Sequence, residues 1–361
     1  MWNDLGLPPQ AAEIEVTLMG PGFGESVVVH FGNGEWMMVD SCIDRSDAAR
    51  HPAGLKYLRA LGVNVASAVK LVVVSHWDDD HVQGIAEVVA ACTSAQFCAS
   101  TAITGREFDR YVESVSLGAT ATAGGNVSNL RRVLELLRAR DQAVKVATPG
   151  RRLHSGPNIT SWSPSDHEAM LFLQFIAHSM PQAGQTLRKV VPGSPNLTSI
   201  VLSIDREDES ILLGGDMEFH LDKRRGWGAI VTEAEGIGFV KGNLVKIPHH
   251  GSHTGHDDRM WSNLLKPTPI SVIAPFGRGA IEKRPPKSED VRRINRLSSK
   301  TFITAPRAID KVRKMDRAVS RSLREGNIHF NGRTPLGIVQ LRRLPGSAWQ
   351  HTLFGSAIRT K

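Results

Sequence analysis

The sequence of 361 residues lacks the features that would place it in a membrane or in an oxidising compartment. Its three cysteines, Cys42, Cys92 and Cys98, are few and odd in number, which argues against a disulfide framework. Its apolar runs, such as LVVVS and AEVVAACT, are far shorter than the ~20 residues of a membrane span. The opening MWNDLGLPPQ lacks the charged start and apolar stretch of a secretory signal. We therefore expect a cytoplasmic protein without a membrane partner.

Aromatic residues are also scarce, at 6% of the chain, so an extended stacking platform for nucleobases has little support. Apolar residues make up 41% and charged residues 22%, as in an ordinary globular protein. The net charge of +8 is concentrated in one segment, since residues 278–325 contain fifteen Lys or Arg and six Asp or Glu. A basic segment of this kind is typical of a surface that binds a polyanion, although a solvated surface is an equally good interpretation.

Strand and helix patterns occur in both halves of the chain. Alternating or β-branched segments predict strands at EIEVTLM, ESVVVHF, GEWMMVD, KLVVVS, LTSIVLSID, SILLGG, NLVKIP, PISVIAP, TFIT, NIHF and GIVQLRR. Helices are predicted over residues 53–61, 82–91 and 130–137, after Asp257, and from Ser288, with Ser128 and Ser288 as caps. This pattern indicates an α/β or α+β fold with much antiparallel pairing.

An acidic motif, SHWDDDHVQG, directly follows the strand KLVVVS. Carboxylates crowded at a strand end repel one another and are costly to desolvate unless a cation lies among them. Imidazole and carboxylate ligands together suit zinc, manganese or iron. Because side chains alternate along an extended segment, we expect His76, Asp78 and Asp80 to point the same way, with His81 folding back over them. Trp77 is expected to pack in the core.

Two further strand ends carry residues that can bind metal. Asp216 follows two glycines at the end of SILLGG, and His249 and His250 follow NLVKIP. An Asp after a strand is, by itself, most often a turn residue or a helix cap. The occurrence of such residues at three strand ends nevertheless predicts one shared metal site, because layered folds keep their chemistry in the loops after strands.

The chain resembles the metallo-β-lactamase hydrolase superfamily and, more closely, the hydrolase domain of ComEC-type competence proteins. The matching segments run in family order from about Ile14 to Leu341 and are ESVVVHFGNGEWMMVDSC, SHWDDDHVQG, NLTSIVLSI, LLGGDME, VKIPHHGS and PISVIAPFG. The resemblance implies a four-layer αββα sandwich with a site for two divalent metal ions, Zn²⁺ or Mn²⁺, at its edge. Residues 1–345 are then the hydrolase domain, with a loop-rich insertion at about 142–196 and the basic segment at 278–325. Residues 346–361 are predicted to be a C-terminal tail.

The resemblance also implies a role for individual residues. By position it assigns His76 and Asp78 to the first metal, and Asp80, His81 and either His249 or His250 to the second. Asp216 would bridge both ions, while Asp40 would support the site from a strand end. Independently of the resemblance, Ser252 extends the histidine motif and is expected to be a further donor outside the ligand set. Asn196 falls where many relatives place a third histidine for the first metal, and its amide oxygen is a weaker ligand than imidazole.

The predicted chemistry is hydrolysis by a metal-activated hydroxide. We expect Asp80 and His253 to be the catalytic residues, with His253 protonating the leaving oxygen. Four basic residues in a Gly- and Pro-rich loop are predicted to bind phosphates: Arg278, Lys283, Arg284 and Lys287. The leading prediction is a phosphodiesterase or nuclease acting on DNA or RNA. The alternatives are a small-molecule hydrolase (a cyclic nucleotide phosphodiesterase, lactonase or lactamase) and a non-catalytic, metal-containing protein that binds nucleic acid.

Overall fold

The computed structural model describes residues 1–45, 48–100, 125–154, 156, 158–179, 195–206, 209–278, 284–306 and 336–361. Lys283 and the predicted strand NIHF lie outside these residues. The strands of the described chain are β1 (Ile14–Gly20), β2 (Ser26–His30), β3 (Trp36–Val39), β4 (Val69–Val74), β5 (Gln96–Ser100), β6 (Lys145–Ala147), β7 (Arg151–His154), β8 (Asn158–Ser161), β9 (Leu202–Arg206), β10 (Glu209–Leu213), β11 (Gly242–Lys246), β12 (Leu265–Ile273), β13 (Lys300–Ile303), β14 (Gly337–Arg343), β15 (Gln350–Gly355) and β16 (Ile358–Arg359).

Within the described residues, the strands form two mixed sheets of eight strands each. The first sheet has the order β15-β14-β1-β2-β3-β4-β5-β6, and the second has the order β16-β13-β12-β11-β10-β9-β8-β7. Each sheet has a parallel block, from β3 to β6 in the first and from β10 to β13 in the second. The remaining pairs are antiparallel, as the sequence predicts. The candidate metal-binding segments follow the carboxyl ends of three strands: the acidic motif follows β4, Asp216 follows β10, and the histidine pair follows β11.

The helices are α1 (Ala53–Ala60), α2 (Val65–Ala68), α3 (Asp79–Val82), α4 (Ile85–Ala91), α5 (Gly125–Ala139), α6 (Asp166–Ser179), α7 (Gly226–Ile237) and α8 (Ser288–Leu297). Among the residues described, no helix has both the length and the apolarity needed to cross a membrane.

Alternation along the strands places one apolar cluster between the two sheets. On β4, Leu71 and Val73 face inward and pack in the same cluster as Ile211 and Leu213 of β10. Val72, between the two inward residues of β4, belongs instead to a second cluster that includes α1, α4 and α5. Residues one apart on a strand point to opposite faces of the sheet, so the first sheet is covered by the other sheet on one side and by helices on the other.

The second sheet is covered in the same way. On β10, Leu212 faces away from the first sheet and packs in a third cluster with Trp227 and Ile230 of α7. Val245 of β11 and Ile294 of α8 belong to the same cluster. Helices therefore cover both outer faces, and the predicted four-layer αββα sandwich is confirmed.

Several local predictions are wrong, each for an identifiable reason. Ser128 lies inside α5, which begins at Gly125, and Ser288 is the first residue of α8 and not its cap. Lys287 precedes α8, and its N–H donates to the carboxylate of Asp290 (2.9 Å), so the acid in the first turn does the capping. The helix expected after Asp257 is a short π-type turn at Met260–Leu264.

Two segments contribute more to the sheets than expected: residues 346–361, predicted to be a tail, and residues 142–196, predicted to hold short strands joined by long loops. Residues 346–361 include β15, which pairs with β14, and β16, which pairs with β13. The loop-rich segment at about 142–196 contains β6, β7 and β8 and the helix α6. The helix was missed because its flanking Ser, Pro and Gly residues hid a buried stripe that includes Phe172 and Ile176.

A buried histidine of β2 makes the stability of the fold dependent on pH. His30 is fully buried; its Nδ1–H donates to the Glu13 carbonyl (2.8 Å), and its Nε2 accepts from Gly34 N–H (3.0 Å). Burial, assisted by the charges of Arg206 and Arg342, lowers the pKa of His30 from 6.5 to about 4, against the opposing effect of the Glu13 bond. The imidazole is therefore held in one neutral tautomer.

We expect the folded protein to lose stability as pH falls through this window. An unfolded His30 takes up a proton below pH 6.5, whereas the folded one stays neutral until about pH 4. Between pH 7 and pH 5 this group alone should lower the free energy of unfolding by about 2 kcal/mol. The free energy of unfolding is measured by urea titration at pH 7 and pH 5, with chelator present. In His30→Gln, the decrease between pH 7 and pH 5 should be smaller than in the wild type by about 2 kcal/mol. Equal losses in both proteins would contradict this assignment.

Candidate metal centre

Four buried residues from three distant segments meet at the carboxyl ends of β4, β10 and β11: Asp80, His81, Asp216 and His250. Each offers one ligand-type atom, and these atoms all lie within 4.8 Å of one another. The Nε2 atom of His250 is 3.0 Å from both Asp80 Oδ2 and Asp216 Oδ2. The Nε2 atom of His81 is 3.3 Å from Asp216 Oδ2 and 3.6 Å from Asp80 Oδ2. We call this group the four-residue cluster.

Outer partners fix the orientation of both imidazoles in the four-residue cluster. The Nδ1–H of His81 donates to Asp40 Oδ2 (2.8 Å), and the Nδ1–H of His250 donates to the carbonyl of Ala274 (2.9 Å). With the proton on Nδ1, each ring presents the lone pair of Nε2 to the cluster. Carboxylate and carbonyl partners of this kind are what metal-binding histidines usually have.

His76 is oriented by the same carboxylate, through a serine. The hydroxyl of Ser75 donates to Asp40 Oδ2 (2.6 Å), so its oxygen accepts from His76 Nδ1–H (3.0 Å). The backbone N–H of Ser75 donates to Asp40 Oδ1 (2.7 Å), so Asp40 lies where the sequence places it, at a strand end behind the site. The buried Nε2 atoms of His76 and His81 have no hydrogen-bond partner in the described chain. Unpaired imidazole nitrogens in a buried site fit a bound cation.

The electrostatics of the four-residue cluster also fit a cation. Burial lowers the pKa of His250, but the carboxylates of Asp216 and Asp80 raise it to about 10. Burial raises the pKa of Asp216, but His250 and His81 bring it well below its usual value. The two carboxylates thus attract positive charge strongly, from protons or from a metal ion. Two imidazoles and two carboxylates form a donor set that suits Zn²⁺ or Mn²⁺.

The residues assigned to the first metal lie nearby but are less tightly grouped. His76 Nε2 is 3.8 Å from Asp78 Oδ2 and 4.0 Å from Asp216 Oδ2. Burial, and then the charge of His81, lower the pKa of His76 to about 3, so its ring is neutral and able to bind metal. Burial and the neighbouring Asp80 raise the pKa of Asp78 to about 7, and 38% of its side chain remains exposed. Within the described chain, His76 and Asp78 join no group of three such atoms within 4.8 Å.

The structure places His250, and not its neighbour His249, in the four-residue cluster. The Nδ1 atom of His249 lies 2.8 Å from Glu218 Oε1 and 2.8 Å from Thr254 Oγ1. The Nε2 atom of His249 lies 3.3 Å from the amide nitrogen of Asn196. Asn196 is the residue that the resemblance assigns to the first metal as a weak ligand. His249 and Asn196 both line the cleft in which Asp78 also lies.

Backbone strain is concentrated at the site. Asp40 (φ 59°), His249 (φ 46°) and His250 (φ 54°) adopt the left-handed conformation although none is glycine. Such a conformation costs roughly 1–3 kcal/mol for each residue and is common where function requires it. All three residues belong to the site or its surroundings: His250 is in the four-residue cluster, Asp40 accepts from His81, and His249 lines the cleft.

An open cleft of about 610 Å³ leads from solvent to the four-residue cluster. His253 and Ser252 line it, as does Lys287, one of the four predicted phosphate contacts. His253 is exposed, and Ser252 Oγ accepts from Thr254 N–H (3.0 Å). Ser252 thus supports Thr254, the partner of His249, and does not touch the four-residue cluster directly.

Two other predicted phosphate contacts, Arg278 and Arg284, are not among the residues that line this cleft. The guanidinium of Arg278 lies over the ring of Phe23, 4.9 Å from its centroid, and Arg284 is half-buried. Phe23 in turn contacts Phe276 (5.5 Å), whose ring packs against His250 at 5.3 Å. Arg278 is therefore two aromatic rings away from the metal centre. Lys283 lies outside the described residues.

Sequence reasoning missed four residues of this region: Glu25, Ser75, Glu218 and Lys246. Two of them left a signal that could have been read. Lys246 follows the buried apolar pair Leu244 and Val245 at the end of β11, and Glu25 lies two residues before the buried valine run of β2. A charged residue inside a buried strand needs a partner of opposite charge, which indicates a polar network at that point.

Comparison with known proteins gives a likeness in fold. Neither a protein-family profile nor a curated protein sequence matches the chain. Among solved structures, the metallo-β-lactamase fold protein YhfI from Bacillus subtilis matches at 12% identity and TM-score 0.40, over 81% of this chain and 95% of that one. The subclass B3 metallo-β-lactamase MEM-A1, from a soil metagenome library, matches at 13% and 0.36, over 70% and 83%. The hydrolase AbOPH of the β-lactamase superfamily matches at 13% and 0.34, over 58% and 72%.

Proposed function

We propose that this protein is a metal-dependent hydrolase of the phosphodiesterase or nuclease type, acting on DNA or RNA. The observation that carries the proposal is the four-residue cluster, with its buried imidazoles held at Nδ1 and its Nε2 atoms turned toward two carboxylates. A divalent cation held there would lower the pKa of water from 15.7 to roughly 7 and so supply a nucleophile at neutral pH. Zn²⁺ and Mn²⁺ are the ions proposed.

The chain's own residues would bind and orient the substrate around that ion. Asp80 and Asp216 hold the negative charge that retains the cation, while Asp40 keeps His81 and His76 in their ligand tautomers. His253, exposed at the edge of the cleft, is proposed to donate a proton to the leaving oxygen.

The proposed substrate class follows from charge. Lys287 lines the cleft, and it belongs to the basic segment of residues 278–325, whose net charge is +9. A phosphodiester bound at the cation would lie within reach of Lys287, because Lys287 lines the same cleft as Asp80, Asp216 and His250. The motifs SHWDDDHVQG and VKIPHHGS also support our proposal that the chain belongs to the ComEC-type subgroup.

One observation favours a small-molecule hydrolase as the second candidate. The cleft volume of about 610 Å³ falls within the range of small-molecule sites, about 300–1,000 Å³. Glu218 and Glu289 also line the cleft, and their charges oppose a polyanion at those points. A cyclic nucleotide, a lactone or a lactam carries less negative charge than an oligonucleotide does.

A substrate panel separates these proposals. Protein loaded with Mn²⁺ or Zn²⁺ is incubated with labelled single- and double-stranded DNA, RNA, cyclic dinucleotides, a lactone and a chromogenic lactam. We expect cleavage of an oligonucleotide that weakens as salt rises, because neutralised phosphates release counterions. Turnover of only the small substrates would establish the second candidate. Oligonucleotide binding with no turnover of any substrate would leave a binding protein and refute the proposed hydrolase.

A further inference from the structure

A buried ion pair lies directly behind the four-residue cluster. The ammonium of Lys246 is 2.5 Å from Glu25 Oε1, and the two side chains are only 3% and 2% exposed. Lys246 ends β11, four residues before His250, and Glu25 directly precedes β2 of the other sheet. Burying two opposite charges gains little net stability, because their desolvation offsets the attraction between them. The pair therefore calls for an explanation other than stability.

Lys246 lies beside one oxygen of Asp216, and the other oxygen faces the cluster. Its ammonium donates to the carbonyl of Gly215 (2.8 Å) and lies 3.5 Å from Asp216 Oδ1. The opposite oxygen, Asp216 Oδ2, faces His81 and His250 at 3.3 Å and 3.0 Å. The charge of the lysine attracts Asp216 Oδ1, which has no hydrogen-bond partner in the described chain, and this attraction favours the orientation in which Oδ2 faces the place where a cation would bind.

Glu25 lies close to the other three members of the four-residue cluster: Asp80, His81 and His250. Its backbone N–H donates to the carbonyl of Asp80 (3.1 Å). Its carboxylate lies 3.9 Å from His81 Nδ1 and 3.7 Å from His250 Nδ1, on the sides of both rings that face away from the cluster. One residue therefore contacts both segments that supply imidazoles, and its charge is compensated by Lys246.

Glu25 also belongs to a second buried group of ligand-type atoms, with Asp40 and His81. The ammonium of Lys246 already supplies positive charge at Glu25, and Asp40 already accepts from Ser75 and His81. This group is the outer layer of the metal centre and not a separate cation site.

We propose that Glu25 and Lys246 act together as a positioning unit, which holds the ligand atoms of Asp216, His81 and His250 in place before a cation binds. The inference rests on the proposed function to the extent that the four-residue cluster must bind metal. Its effect is on metal affinity, so it can be tested without any substrate. Outer partners of metal ligands typically contribute about 10–100-fold to affinity.

The test is a titration of the metal-free protein with Zn²⁺ and with Mn²⁺, in competition with a chromophoric chelator. The double variant Glu25→Gln/Lys246→Met removes both charges and leaves no unpaired buried ion. We expect it to fold, as judged by circular dichroism, and to bind both ions about 10–100-fold more weakly than the wild type. Lys246→Arg, which keeps the charge, should recover part of the affinity.

The control is an ion pair of the first sheet between fully buried Glu15 and half-buried Arg342, whose Nε lies 2.7 Å from Glu15 Oε2. Glu15→Gln/Arg342→Met should change the unfolding midpoint and leave metal affinity unchanged. Wild-type affinity in Glu25→Gln/Lys246→Met would overturn the positioning role. If that double variant does not fold, the same metal titration is made with the isosteric variant Glu25→Gln. Weaker metal binding would support the positioning role, and wild-type affinity would overturn it.

The two proposals fail in different ways. A wild-type protein that binds neither ion would overturn both the proposed function and the positioning unit. A wild-type protein that binds metal but hydrolyses no substrate would overturn the proposed function alone, because the effect of the double variant on affinity would still be measured.

Discussion

Asp80→Asn is expected to lower kcat/KM by about 1,000-fold, the upper range for removing one preorganised electrostatic group from an active site. Asp80 Oδ2 lies 3.0 Å from His250 Nε2 and 3.6 Å from His81 Nε2, so it faces both imidazoles of the four-residue cluster. The substitution keeps the size of the side chain and removes its charge. Bound metal, measured by elemental analysis after dialysis, should fall in parallel with activity.

The adjacent residue provides the control. Asp79 carries the same charge one position earlier but belongs to neither group of ligand-type atoms in the described chain. Asp79→Asn should retain the bound metal and stay within a few-fold of wild-type kcat/KM. Loss of metal and activity in Asp79→Asn, or their retention in Asp80→Asn, would show that the ligand set is wrongly assigned.

Removing the metal is expected to lower the melting temperature of the wild-type protein by about 5–10 °C. A ligand present at 1,000 times its Kd, and bound only by the folded state, stabilises that state by about 4 kcal/mol. The four-residue cluster joins loops of both sheets, so its ligands cannot stay together in the unfolded chain. Calorimetry with excess Mn²⁺ or Zn²⁺, and then with chelator, measures the difference.

The metal-free protein should nevertheless remain folded. The carboxylates of Asp80 and Asp216 raise the pKa of His250 to about 10 despite its burial, so a proton there supplies part of the missing positive charge. Adding the ion back should restore the higher melting temperature. In Asp80→Asn the shift should be much smaller, and equal melting temperatures with ion and with chelator in the wild type would count against a metal site at the cluster.

The sequence predicted the order of the strands along the chain and the layers better than it predicted the ends of elements. The alternation of β1 and the continuous apolar runs of β2 and β4 are strong signals, because these strands are buried between the other sheet and the helices. Helix caps and short edge strands give only a weak signal in the sequence. Ser128 is predicted to be a helix cap, but residues 125–127 before it already belong to the helix. The residues of β15 are largely polar and exposed, so their sequence resembles that of a disordered tail.

The members of the four-residue cluster could be named from the sequence, whereas the residues behind it could not. His76 to His81 and His249 to His250 are dense local patterns that a structural role rarely explains. The choice between His249 and His250 depends on their left-handed backbone conformation, with φ of 46° and 54°. The sequence pattern does not predict this conformation. Glu25 and Lys246 are 221 positions apart, and their partnership depends on how the two sheets pack together.

The pairing of β1 with β14 has a consequence for how the chain is made. Gly20 pairs with Gly337, 317 positions later, so one edge of β1 stays unpaired until β14 has been synthesised. At 5–20 residues per second that wait is roughly 15–60 s. During translation the nascent chain therefore exposes an apolar strand edge to other nascent chains. A ribosome that stalls before Gly337 would release a polypeptide prone to aggregation, and we expect holding chaperones to associate with this protein until its last strands emerge.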